Sequence, residues 1–304
     1  MEKHNRRVFV SGVIANVAAA ARADDSAKPQ LGVVVSATDR VSPDQALARV
    51  KKLGFSSCQL GVGMAPAELG PAIRAAIVKY GVQPTALMTL GAGRMVWNLR
   101  EGPATIGVIP RATRKERVEA LKRASDLAKV CGVKAVHTHC GFIPENPNDA
   151  LYAEAVSVIK EVVSYARENG QTFLCETGQE TPITLLRTIG DVGLDNMAVN
   201  LDLANLILYG KGEPVGALDV LGPHVRGLHA KDGVYPTDPY GLGKETPIGS
   251  GRVRFPEVFR KLRELNYAGP VTIEREISGE RQETDIRASA QFLATIIDRE
   301  YGRA

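Results

Sequence analysis

No stretch of this sequence is long and apolar enough to span a bilayer, no two cysteines stand in a C-x-x-C pair, and no glycine-rich loop has a complete phosphate-binding pattern. Each absence removes a class of protein. The longest apolar run, Val8 to Ala21, covers 14 residues, whereas a membrane-spanning helix needs about 20. The four cysteines, Cys58, Cys131, Cys140 and Cys175, are unevenly spaced, which argues against a disulfide framework or a zinc knuckle. Cys140 and Cys175 follow neighbouring predicted strands and are positioned to pair in an oxidising compartment, but core or rim thiols are the preferred reading. Gly61-Val62-Gly63 continues to Pro66 rather than glycine, and GLGKET at 241–246 lacks both the upstream glycine and the Ser/Thr of a phosphate loop. Heptads, charge runs and low-complexity tracts are also missing.

Net charge is scarce too. The whole chain carries +4, but residues 1–23 hold Lys3, Arg6, Arg7 and Arg22 against Glu2, leaving 34 basic and 33 acidic residues beyond them. A near-neutral body has no electrostatic footprint for nucleic acid. The first 23 residues read as a cleaved export signal: paired arginines, an Ala-rich apolar run, then Ala21-Arg22-Ala23 before Asp24-Asp25. The arginine pair in NRRVFV resembles the twin-arginine type. The expectation is a leader over 1–23, a single catalytic domain over 24–304 and a periplasmic or otherwise extracytoplasmic location, with no membrane span.

What remains is ordinary globular composition, 44% hydrophobic and 24% charged. From residue 30 onward, short apolar runs alternate with segments of helical periodicity. LGVVVS (31–36) reads as a strand, followed by a helix with Ser42 as N-cap, Pro43 at the first helical position and Gly54 beyond its end. The same unit recurs to strand 270–275 and a last helix 282–299. Eight strands and eight helical segments in this length predict a (β/α)8 barrel, with an open doubly wound sheet as the alternative.

Chemistry collects where those strands end. TFLCE ends at Glu176, AVNLD at Asp202 and VRGLHAKD passes through His229, while VTIER brings Glu274. Glu176, Asp202 and His229 lie 26 and 27 residues apart, about one strand-plus-helix unit. Each is thereby expected at the same height on successive strands. A barrel gathers function at the C-terminal ends of its strands, and one imidazole with three carboxylates suits a single divalent cation. His139 at the end of the fourth strand, Trp97 in a long loop from Gly91 to about Ala112, Asn205 after Asp202, and Lys231 and Asp232 beyond His229 are read as substrate-side groups. His137 is read as either a site group or a hydrogen-bonded core histidine, and His224 as structural. The Gly- and Pro-rich insertion 233–254 is expected to close over the barrel mouth.

The chain resembles the sugar phosphate isomerase/epimerase family with the xylose isomerase-like barrel over residues 30–300. The marks are CETG around Glu176, NLDLAN around Asp202, GLHAKD around His229, Gly249-x-Gly251, and YAGPVTIERE carrying Glu274. The group includes tagatose and psicose 3-epimerases, hydroxypyruvate isomerase and inosose dehydratase. The resemblance implies that Glu176, Asp202, His229 and Glu274 bind one divalent ion, Mn2+ in first place, with Mg2+ or Co2+ as alternatives. It further implies that Glu176 and Glu274 exchange a proton beside a carbonyl through a metal-stabilised enediolate. The substrate class implied is a small-molecule sugar, ketose, keto-sugar or cyclitol, and a homo-oligomer is compatible.

One departure matters. The epimerases have histidine three residues after the metal aspartate, where this chain has Asn205, and an arginine where it has Lys231 and Asp232. A dehydratase or keto-glycoside lyase using the same enediolate therefore stays open. So do a non-catalytic sugar-binding barrel and a phosphodiesterase of the endonuclease IV branch, although the latter uses many histidines and only His137, His139, His224 and His229 follow the leader.

Overall fold

Residues 28–302 are described by the computed structural model, so the expected leader lies outside the described residues. The first strands, β1 (Gln30–Ser36) and β2 (Ser57–Gly61), flank α1 (Pro43–Leu53), whose ends show why the chain folds in this order. Ser42 Oγ accepts the Gln45 N–H and the Gln45 side chain accepts the Ser42 N–H, so two otherwise unpaired donors are satisfied reciprocally. At the other end Gly54 takes φ 95°, a left-handed conformation that a Cβ disfavours.

The unit then repeats through α2 (Leu69–Tyr80), β3 (Gln83–Met88), a long loop holding the single turn α3 (Gly102–Thr105), α4 (Arg114–Cys131), β4 (Ala135–Thr138), α5 (Ala150–Glu168) and β5 (Thr172–Glu176). Next come α6 (Pro182–Val192), β6 (Met197–Asp202), the short helices α7 (Asn205–Leu208) and α8 (Pro214–Leu221), and β7 (Val225–Ala230). The chain ends with β8 (Asp232–Val234), β9 (Lys244–Thr246), α9 (Phe255–Glu264), β10 (Pro270–Ile273) and α10 (Glu280–Tyr301). Eight strands close into a parallel barrel in the order β1-β10-β7-β6-β5-β4-β3-β2. The open-sheet alternative is thereby excluded. Insertion 233–254 has more structure than its Gly and Pro content predicts, because β8 and β9 pair antiparallel. No helix among the described residues is long and apolar enough to cross a membrane.

Residues alternate across each strand. Those facing the helices, such as Val33, Leu60, Phe173, Val199, Leu201 and Leu228, belong to one continuous apolar core. Inside the barrel a second, small cluster of Ala86, Ala135, Leu174 and Ala198 fills one level, and polar side chains occupy the levels above it. Cys140 and Cys175 lie on the helix side as buried thiols with Sγ atoms 2.6 Å apart.

The long loop after β3 is held from below by one cation. Arg117 on α4 is 1% exposed, and its guanidinium donates to the carbonyls of Gly107 at 2.6 Å, Thr105 at 2.7 Å, Ala92 at 3.0 Å and Arg94 at 3.4 Å. Replacing Arg117 with Met should destabilise the protein by about 2–4 kcal/mol, since hydrogen bonds to a charged donor are lost and buried carbonyls go unpaired. Chemical denaturation measures the loss, and limited proteolysis should map new cuts to residues 91–112. Unchanged stability and cleavage would remove Arg117's bracing role.

Candidate functional site

Asp202 and His229 are register partners on β6 and β7, at the equal height that their spacing predicts. Glu176, however, pairs with Asn200, two residues before Asp202, and His229 pairs with Thr272, two residues before Glu274. The expected single level is thus a staircase with steps of two residues. An even step keeps every donor on the inner face, since side chains alternate with period two, and the stagger of a closed barrel then brings the ends together. One donor atom from each of Glu176, Asp202, His229 and Glu274 lies within 4.8 Å of all the others.

The four side chains are held to different degrees. Asp202 Oδ1 accepts the N–H groups of Ala204 and Asn205, both at 2.8 Å, while its buried Oδ2 has no hydrogen-bond partner. Glu176 Oε1 lies 2.9 Å from His229 Nδ1 and accepts from Asn205 Nδ2 at 3.3 Å; its Oε2 lies 3.1 Å from both His137 Nε2 and His139 Nε2. Glu274 Oε2 is 3.3 Å from His229 Nδ1 and accepts from Lys231 Nζ at 3.2 Å. Burial alone would raise all three carboxyls. The imidazoles of His139, His229 and His137 override it at Glu176, holding that group well below the usual range, and Lys231 and His229 do the same at Glu274. At Asp202 burial wins over Lys231, and the carboxyl is pushed up to about 6. Burial would lower His229, but the Glu274 and Glu176 carboxylates lift it well above an ordinary histidine.

Beneath the donors sits a pair of amides that sequence reasoning passed over. Gln59 Oε1 lies 2.8 Å from His229 Nε2, and Gln59 Nε2 donates to Asn200 Oδ1 at 2.8 Å. The carbonyl against Nε2 places a hydrogen on that nitrogen, which leaves Nδ1, the one facing the carboxylates, as the lone-pair donor of the neutral ring. A Cβ at Gly227 would come within 2.4 Å of Asn200 Oδ1, so glycine is needed there for this couple to exist. The signal was an amide inside each of two apolar runs, SSCQLG and AVNLD.

The remaining expected residues divide. His139 is at the mouth, with Gln179 3.1 Å from its Nδ1 and Trp97 edge-on at 5.2 Å between ring centroids. His137 is fully buried one layer down and packs edge-on to His229 at 5.3 Å. Lys231, 1% exposed, donates to Asn205 Oδ1 at 3.3 Å as well as to Glu274, and pairs with Glu276 at 3.0 Å. Asp232 is corrected: it faces away from these groups, and its carboxylate accepts the N–H groups of Gly233, Gly249, Gly251 and Val253. It ties down insertion 233–254 instead of meeting a substrate. Glu276, which was missed, joins Glu176, Glu274, His137, His139 and Trp97 in the wall of a cavity of about 390 Å³. Its signal was the alternation Glu274-x-Glu276, which puts both on one face.

Three ionisable carboxylates around one imidazole, with an unbonded Asp202 oxygen among them, fit a hard divalent cation. Residues 47–296 match the profile of the family described as Xylose isomerase-like TIM barrel. A xylose isomerase domain protein from Planctomyces limnophilus is 31% identical, with TM-score 0.82 over 91% of this chain and all of that one. Two more distant structures share the fold. They are 3-keto-D-glucoside 4-epimerase of E. coli, with 17% identity, TM-score 0.64 and coverage of 88% of this chain and 100% of that one, and a Mycobacterium smegmatis xylose isomerase-like TIM barrel protein in complex with magnesium, with 18%, 0.66, 91% and 98%. The chain spans about half the length of the curated relatives it matches, among them an uncharacterized Methanocaldococcus jannaschii protein 28% identical over 174 residues, which is 54% of this chain and 58% of that one.

Two outcomes are expected from titrating the purified protein with Mn2+. Asp202→Ala should abolish stoichiometric binding, and Gln59→Leu, which leaves all four donors in place, should weaken it by about 10- to 100-fold; equal affinity in wild type and Gln59→Leu would dismiss the tautomer argument. Acid should also weaken binding. The ion needs Asp202 ionised and Nδ1 of His229 unprotonated, both these groups have raised pKa values, and so protons compete increasingly as pH falls from neutrality through about 6. Calorimetry at pH 7 in buffers of different ionisation enthalpy should register proton release on binding, and its absence would refute the competition.

Proposed function

This chain belongs to the xylose isomerase-like TIM barrel family, and on that premise we propose that it is a sugar isomerase or epimerase dependent on one divalent metal ion. The substrate proposed is a ketose, keto-sugar or cyclitol that loses a proton from the carbon beside its carbonyl. The observation that carries the reading is the convergence of Glu176, Asp202, His229 and Glu274 within 4.8 Å at one end of the barrel, with both glutamates in the wall of the same cavity. The fold shared with a keto-glucoside epimerase supports it.

When bound, a divalent ion supplies Lewis acidity to a carbonyl oxygen and its neighbouring hydroxyl. The chain's own residues do the rest. Glu176 and Glu274 come from strands three places apart around the barrel, so they reach a carbon between them from different sides. One carboxylate takes the proton, and the C–H electron pair becomes the C=C bond of an enediolate. Return of a proton to the other face inverts the carbon, while return to the neighbouring carbon moves the carbonyl. Lys231 keeps Glu274 ionised and, with Asn205, fixes where its oxygen points. His139 and Gln179 hold Glu176 from the other side.

A second reading rests on Glu276. It lines the cavity and is bound to Lys231 at 3.0 Å, a pair able to give a proton to a leaving group expelled from the same enediolate. A dehydratase or keto-glycoside lyase would use that pair.

Glu274→Gln separates ligand from base, because the amide keeps a carbonyl oxygen but cannot accept a proton. With Mn2+ in excess, C–H exchange into D2O followed by NMR over a panel of keto-sugars should slow by about 10²–10⁴-fold while bound metal is largely retained. Glu176→Gln should match it if a centre is inverted. Loss in only one variant identifies a one-base isomerase or lyase, and wild-type exchange in both would end the two-carboxylate mechanism.

A further inference from the structure

The cavity wall has two chemically different parts. Glu176, His137 and His139 are buried and with Glu274 and Glu276 bring charge; Met64, Leu90 and Trp97 are exposed and with Met95 form an apolar rim, while Met88 lies beside His137 on the neighbouring strand and Ser36, Thr38, Thr89 and Thr138 also line the space. The chain has five methionines and one tryptophan in all, so three of those methionines and the only tryptophan are spent on this wall. Met64 is 44% exposed, Leu90 38% and Trp97 43%. Single exposed apolar side chains are common on any surface, but a contiguous set lining a concave site marks a surface kept for something to cover.

A bare sugar covers such a wall poorly. Its C–H face can stack on Trp97, yet hydroxyls on its rim would lie against thioether and isobutyl groups that offer almost no hydrogen bonds, and each unpaired hydroxyl taken from water costs free energy. A ligand with one polyhydroxylated end and one apolar end fits both halves. The halves are in contact: Trp97 packs on His139, and His139 lies 3.1 Å from the Glu176 carboxylate. The wall is also a fixed one, because the loop bearing Met95 and Trp97 is braced by Arg117 beneath it.

Resting on the function proposed above for the charged end, we propose that the substrate is a glycoside rather than a free sugar. Its keto-sugar ring meets Glu176 and Glu274, and its aglycone, an aromatic or similarly flat apolar group, packs against Met64, Leu90, Met95 and Trp97. The methionines widen the choice of aglycone, since a flexible, polarisable thioether adapts to different ring shapes.

The test compares methyl and phenyl 3-keto-D-glucosides, both anomers of each, with the Mn2+-loaded full chain. Calorimetry reads affinity and NMR in D2O reads C–H exchange. The phenyl glycoside should bind roughly 10- to 100-fold more tightly than the methyl one, the effect of burying an aromatic ring. Met64→Gln combined with Met95→Gln, conservative in size and half-exposed, should reduce that ratio towards unity. Equal affinity in the wild type overturns the proposal, as does a ratio that the double variant leaves intact, or free ketoses exchanging while neither glycoside binds. The two readings fail separately: exchange without a phenyl preference spares the isomerase reading and removes the aglycone site, whereas a wall-dependent phenyl preference without exchange spares the site and removes the isomerase reading. If neither glycoside nor any ketose binds, both fall.

Discussion

Three carboxylates, two buried and Glu274 partly so, stand within a few ångströms of one another and repel, and the interior of the barrel exists in its present form because that repulsion is answered. His229 stands among Glu176, Asp202 and Glu274, and the Lys231 ammonium is 3.2 Å from Glu274 and 3.8 Å from Asp202. Without these cations the group would be unaffordable at this depth, because a charge taken out of water is tolerated only when paired or neutralised. The balance is local and incomplete. Asp202 keeps one oxygen without a partner and carries a raised pKa, which is the residue of negative charge that a cation would neutralise.

The barrel was legible in the sequence because its signals are near-neighbour ones: alternation and caps such as Ser42 and Gly54 act within a dozen residues, and the strand-plus-helix unit recurs at spacings such as the 26 and 27 residues between Glu176, Asp202 and His229. The four side chains that converge were legible as strand-end groups because each lies at the close of an apolar run. What escaped needs long-range knowledge. Gln59 is meaningful only beside His229, 170 positions away, and beside Asn200, 141 away. Asp232 was misassigned although the period-two rule was available: with His229 and Lys231 pointing inward, Asp232 must point out. Glu276 lies past the end of β10, and only its two-residue spacing from Glu274 points to the shared cavity.

The mouth of the barrel is more firmly built than long connecting loops suggest. Arg117 gathers four carbonyls of the loop after β3, and Asp232 gathers four N–H groups of the insertion after β7, one a cation serving acceptors and the other an anion serving donors. The loops then meet, with Leu99 N–H donating to Tyr240 C=O at 2.9 Å and Arg100 lying over the Tyr240 ring. The rim that carries Trp97 is thus tied to the rim that follows β7. An insertion expected to swing closed is anchored at its root and joined at its tip.

Gly227 has no side chain because the Asn200 carbonyl fills that space, and the Asn200 carbonyl is there to orient Gln59 against His229. Three strands therefore share one mutational fate. Any side chain at Gly227 evicts Asn200, a shorter residue at Asn200 releases Gln59, and a Gln59 without its partner can turn its amide and present the wrong atom to the imidazole. Such contacts make substitution effects non-additive. Laboratory evolution of this barrel one residue at a time meets a ridge here, and a new arrangement under the histidine becomes reachable only by changing positions 59, 200 and 227 in the same step.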